Sequence, residues 1–198
     1  MLSSINKGAA YMVASIAGFL GLLAYLASGQ VWAIALILLG PWFAVLIHEL
    51  GHAFAAWRSG MNVRVIAVGP IELHTAPLRF RPAKELIGQD VGGHVRYEET
   101  PRRYLTRTTD ALITAAGPAA NLLSILICIG LANLLGESPA GRVAVGFAYT
   151  SLSAFILSSW PFKLTSGRGN DAFELVRMLR REPKRRTSKP KRSPWQAQ

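Results

Sequence analysis

The stretch PWFAVLIHELGHAFAAW, residues 41–57, sets two histidines and a glutamate inside one of the most apolar parts of a 198-residue chain. Whether it lies in water, in a protein core or in a bilayer decides the fold. No Asp, Glu, Lys or Arg occurs between Lys7 and Glu49, between Asp110 and Glu137, or between Arg142 and Lys163, gaps of 41, 26 and 20 residues. A bilayer core takes about 20 apolar residues per helix. Ser28, Gly29 and Gln30 interrupt the first gap, so four membrane helices are expected, near 9–27, 31–57, 111–136 and 143–160. A soluble helix would show a polar face at helical spacing, and VASIAGFLGLLAYLA (13–27) has none. The first apolar run is longer than that of a signal peptide and another follows closely, which favours a retained span. Cys128 is the single cysteine, so there is neither an internal disulfide nor a cysteine cluster for a metal. The expected fold class is an all-α polytopic membrane protein of about four transmembrane helices, with a small β-containing segment at the cytosolic membrane face.

Charge orients this arrangement. The formal net charge is +11, and residues 177–198 hold nine Lys or Arg and one Glu, which leaves +3 for the rest. Residues 59–110 carry eight Lys or Arg between Arg64 and Arg107, whereas the connections at SGQ and GESPAGR carry little positive charge. By the positive-inside rule, both termini and the segment 59–110 are expected in the cytosol of a multi-pass cell-membrane protein. Residues 1–176 form the expected membrane-embedded core. The tail 177–198, basic and Pro-rich with little to bury, is expected to be disordered, attracted at most to anionic lipid headgroups and not to nucleic acid. Within the cytosolic segment, VRVIAVGPIELH suggests β structure around a Gly-Pro turn and VGGHVRYEE another short strand.

His48 and His52 lie four residues apart, so a helix directs both to one side, as two imidazoles on one zinc ion require. Glu49 adjoins the first histidine. In an H-E-x-x-H arrangement this carboxylate acts as a base toward water and does not bind the metal. Ionisable groups in hydrocarbon are expensive, and they usually mark a function. His48 follows Val31 by 17 residues, about 26 Å of helix, which puts it a few ångströms inside the cytosolic boundary of a core about 30 Å thick. Zinc needs a third protein ligand, and His74, His94, Asp90, Asp110, Asp171 and the remaining glutamates are all candidates. Asp171 follows the last apolar run by the turn LTSGRGN. It is equally suited to be an ordinary acid at the start of the helix AFELVRMLR. Asn121 sits in an apolar segment and must find a partner within the bundle, either on a neighbouring helix or at the substrate backbone. Gly117 and Pro118 favour close approach or a break at the helix entrance.

HELGH in an apolar helix, AAGPAANLL at the start of a later one, and a terminal Pro161 followed by Asp171 together resemble the site-2 protease family of intramembrane zinc metalloproteases. The resemblance runs from about residue 31 to residue 180. It implies one zinc ion held by His48, His52 and Asp171, with Glu49 as the catalytic acid and base. The family's Gly-Pro-x-x-Asn motif falls on Gly117, Pro118 and Asn121. Ser158 and Ala172 depart from the family pattern. The implied activity is hydrolysis of peptide bonds in or near transmembrane segments of membrane-protein substrates. The alternative is a non-proteolytic membrane adaptor with a structural or regulatory zinc site.

Overall fold

The computed structural model describes residues 31–69, 71–82, 92–100, 106–163 and 169–180. The helix expected near 9–27 and the tail beyond Arg180 lie outside them. The chain enters through helix α1 (Val31–Arg58), which runs through Pro41. Its end is set by local chemistry. Gly60 takes φ +80, its N–H reaches the carbonyl of Trp57, and the Met61 N–H reaches that of Ala56 at 3.0 Å. This pair of bonds closes the helix in a Schellman motif, where glycine avoids the clash that a side chain would meet. Met61 then packs back on Ala56, and both join Ile113 in a buried cluster bordered by Ala55, Val63 and Tyr97.

From Met61 the chain turns into strands β1 (Asn62–Val68), β2 (Ile71–Thr75), β3 (Leu78–Pro82) and β4 (Gly93–Glu98). They form one antiparallel sheet in the order β3-β2-β1-β4. The β1–β2 hairpin closes at the pair Val68 and Ile71, with Gly69 at φ +51 supplying the turn. Thr75 Oγ1 donates to the Val63 carbonyl at 2.5 Å, and Arg64 Nε pairs with Glu98 at 2.8 Å.

Helix α2 (Arg107–Leu135) starts at Thr106, whose side chain accepts the Thr109 N–H, and helix α3 (Pro139–Ser159) starts at Ser138, which accepts the Gly141 N–H ahead of Pro139 in the first turn. The short connection between them makes an antiparallel helical hairpin. A short amphipathic helix, α4 (Asp171–Arg180), follows.

The expectation of an all-α molecule with four membrane helices needs correction. The described chain contains a four-stranded sheet beside its helices, and among the described residues two helices, α2 and α3, are long and apolar enough to cross a membrane. The sheet is larger than foreseen because LRFRP, an alternation of apolar and basic residues, pairs with β2 as a third strand of the meander. Helix α1 gathers His48, Glu49, His52 and Arg58 in its second half, where it meets the sheet. Pro118 does not break α2, which continues through it.

The helices bury small and polar residues beside a few aliphatic ones and turn most of their large apolar side chains outward. Asn121 and Ser151 are fully buried, while Leu126, Ile127, Ile129 and Leu134 on α2 and Leu152 and Ile156 on α3 are exposed. Ser124 and Ser151 hydrogen-bond between α2 and α3 at 3.2 Å. A surface of this kind suits lipid, and cross-helix hydroxyl contacts with small residues are how helices associate there. The junction of α1, β1 and α2 is different, since it buries apolar side chains against a sheet. There Met61→Ala should cost about 2–5 kcal/mol, the range for truncating a packed Leu, Ile or Met. Denaturant or thermal unfolding of the detergent-solubilised chain measures it.

Candidate metal centre

His48 and His52 stand one turn apart on α1, and Asp171 opens α4. The fold brings the three together. The Nε2 atoms of the histidines are 3.1 Å apart, and the Asp171 carboxylate lies 2.8 Å from His48 Nε2 and 3.5 Å from His52 Nε2. Among the described residues they are the group of metal-ligating side chains close enough to share an ion. Tetrahedral zinc with bonds of about 2.0–2.1 Å separates its ligand atoms by about 3.3 Å. The triangle fits that spacing.

The outer nitrogens of both rings are tethered. His52 Nδ1 donates to the carbonyl of Ile113 at 2.7 Å. A carbonyl can only accept, so the proton is on Nδ1 and the neutral ring presents a lone pair at Nε2. His48 Nδ1 lies 3.1 Å from the side-chain amide of Asn121. An amide presents oxygen and nitrogen in interchangeable positions, so its oxygen can accept from Nδ1–H and leave the His48 Nε2 lone pair facing the same point. Two lone pairs and a carboxylate that converge repel one another unless a cation or added protons lie between them. A divalent metal satisfies all three at once.

Space is reserved for it. A Cβ on Gly117 would fall 2.7 Å from His48 Nε2 and 2.6 Å from His52 Cε1. The glycine of α2 therefore leaves open the volume beside both ligand nitrogens. Gly51 of α1 passes so close to Ala116 and Ala120 that it too has no room for a side chain, which lets the two helices bring Gly117 to the histidines.

Glu49 is 5% exposed, covered by the start of β4. A Cβ on Gly93 would lie 2.6 Å from Glu49 Oε1 and 2.6 Å from the Ala67 carbonyl. The sheet thus forms one wall of the site. Burial pushes the Asp171 carboxyl up, but in the metal-free site, where added protons on the two Nε2 atoms relieve the repulsion, hydrogen bonds from His48 and His52 outweigh that and hold it down at about 2. It is ionised across the neutral range.

The other candidate ligands lie elsewhere. His74 pairs with Glu72 at 3.2 Å on the sheet, His94 lies opposite Ala67 in β4, and Asp110 sits beside Glu174 and Arg177. Asp90 is outside the described residues. Two features escaped sequence reasoning. Asn170, next to Asp171, bonds the end of α3, and Arg107 donates to the Met178 and Leu179 carbonyls at the far end of α4. An Asn before a helix-starting acid, and a basic residue at the head of an apolar helix, read as ordinary caps and flanks.

A helix bearing H-E-x-x-H, with a carboxylate completing the ligand set, defines a metallopeptidase type of centre. Residues 32–187 match Peptidase family M50, and the chain belongs to that family, the site-2 protease family. It is 27% identical over 145 residues to the protein named "Putative zinc metalloprotease Rip2" of Mycolicibacterium smegmatis, covering 68% of this chain and 55% of the relative. The chain thus spans about half the length of that relative. No solved structure matches it significantly. Proteins of this family are membrane proteins, in keeping with the two apolar helices.

Two outcomes are expected for metal binding. Gly117→Ala should remove zinc from the purified chain while α2 still forms, read as metal per chain and helical circular dichroism. In wild type, zinc affinity should fall at least about tenfold from pH 7 to pH 5, because protons compete with the metal for imidazole. Asp171 does not set this window. Its depressed carboxyl keeps its charge until far lower pH, so its contribution is present above the unfolded value and is lost only as pH falls toward about 2.

Proposed function

We propose that the protein is an intramembrane zinc endopeptidase that hydrolyses peptide bonds in or near transmembrane segments of membrane-protein substrates, as in regulated intramembrane proteolysis. The observation that carries this reading is the triangle of His48, His52 and Asp171 with Glu49 buried beside it on the same helix. His48, His52 and Asp171 would hold one zinc ion. When bound, zinc supplies a Lewis acid that polarises a carbonyl and activates water. Glu49 takes the proton from the attacking water as the new C–O bond forms, and then returns it to the nitrogen, so that the peptide C–N bond breaks and the amine leaves. Asn121 orients His48, and Ile113 orients His52, through the outer ring nitrogens. Gly117 keeps the metal's place open and Pro118 packs within the same helix.

Three protein ligands leave one position of a tetrahedral ion for water or substrate, which favours a catalytic over a closed structural site. The substrate must be locally unwound, because a helical carbonyl is engaged in the helix and lipid offers its backbone no water. The charge bias supports a multi-pass placement with cytosolic termini, the site at the cytosolic face and the basic tail near anionic headgroups.

Glu49→Gln tests the reading. It should retain zinc and lose cleavage of a membrane-peptide substrate by about 10²–10⁴-fold, the span of general acid–base catalysis. Cleavage at the wild-type rate would exclude this mechanism.

A further inference from the structure

Asp171 reaches the histidines only if the chain leaving α3 doubles back and stops at the right height. The backbone does part of this. Lys163 and Gly169 form an antiparallel bridge, and the Asn170 N–H donates to the Phe162 carbonyl at 3.1 Å. The Asn170 side chain does the rest. Its Nδ2 lies 2.8 Å from the Leu157 carbonyl, 3.3 Å from that of Ser158 and 2.6 Å from that of Trp160, the open carbonyls at the end of α3. Its Oδ1 accepts the N–H of Phe162 at 3.2 Å and that of Phe173 at 3.1 Å. The Phe173 contact is the N-cap bond of α4, in which Asp171 is the first residue.

We infer that Asn170 is a positioning residue for Asp171: its one carboxamide closes the end of α3 and caps the start of α4, and so fixes the height at which the carboxylate meets His48 and His52. The chemistry is selective. Ser, Thr and Asp cap helices as well as Asn does, but none offers two N–H donors from the group that accepts the cap bond. If capping alone mattered, those residues would serve. If the bridge matters, they fail. Arg107 pins the opposite end of α4 through the Met178 and Leu179 carbonyls, so α4 is held at both ends and Asn170 governs the end that carries the ligand.

This inference rests on Asp171 being a zinc ligand, and the test separates the two. Zinc affinity of the full chain in detergent is measured by competition with a chromophoric chelator for wild type, D171A, N170S and the double variant, and the visible spectrum of the Co2+-substituted forms is recorded. N170S, which keeps the cap and loses the bridge, should bind zinc about 10–100-fold more weakly. Its cobalt spectrum should move toward that of D171A, and the double variant should bind no more weakly than D171A. N170D keeps both accepted N–H contacts and should show the same loss, and it decides the matter by the same criteria if N170S does not fold. Binding by N170S within twofold of wild type, or an equal further loss in the D171A background, overturns the inference. Wild-type affinity in D171A overturns the ligand assignment itself.

Discussion

Everything in this molecule is arranged around the convergence of two imidazole lone pairs and one carboxylate at a single point. Left alone, that convergence is repulsive. His52 is held to it by the Ile113 carbonyl, His48 by Asn121, and Asp171 by the turn that ends α3. Two of the tethers come from α2 and the third from the end of α3, and so the site exists only when all four helices are in place. A metal held there would relieve the repulsion and link residues that lie far apart in sequence, and its binding energy would add to the stability of the assembled fold.

The sheet contributes by enclosure. Ile113 places its side chain in the cluster with Ala56 and Met61 while its carbonyl holds His52, so the packing at the end of α1 and the orientation of a ligand share one residue. On the other side of the helix β4 lies against Glu49 through Gly93. The Glu49 carboxylate is thereby kept from bulk water by backbone, and the same sheet presents its outer strand β3 to the surroundings with Leu78 and Phe80 uncovered.

How much of this was legible depended on the range of the interaction that decides it. His48, Glu49 and His52 could be read directly, because one helix with its own period sets their relation. The hairpin of α2 and α3 was visible in the uncharged runs. The strand Leu78–Pro82 was not, since its arginines hide a period of two in what looks like a basic loop, and the number of spans was overestimated because an apolar run fixes neither its depth nor its neighbours. Asp171 could be singled out from the other candidate ligands only by resemblance. Its place depends on Asn170 touching carbonyls 10 to 13 residues earlier, a relation that no local pattern records. The cover that Gly93 gives Glu49 is equally long-range.

The helical part of the molecule has a further property. Most of its large apolar side chains point outward, and in lipid they gain little by being there, because the surrounding chains are as apolar as they are. Cohesion falls to close surface fit, at Gly51 against Ala116, Gly40 against Thr150 and Gly146 against Leu36. Tolerance to change is therefore the reverse of that in a water-soluble core. Trimming Leu126 or Ile129 removes contacts with solvent lipid, whereas one added methyl at Gly51 pries two helices apart, and the smallest residues of the bundle become its least replaceable.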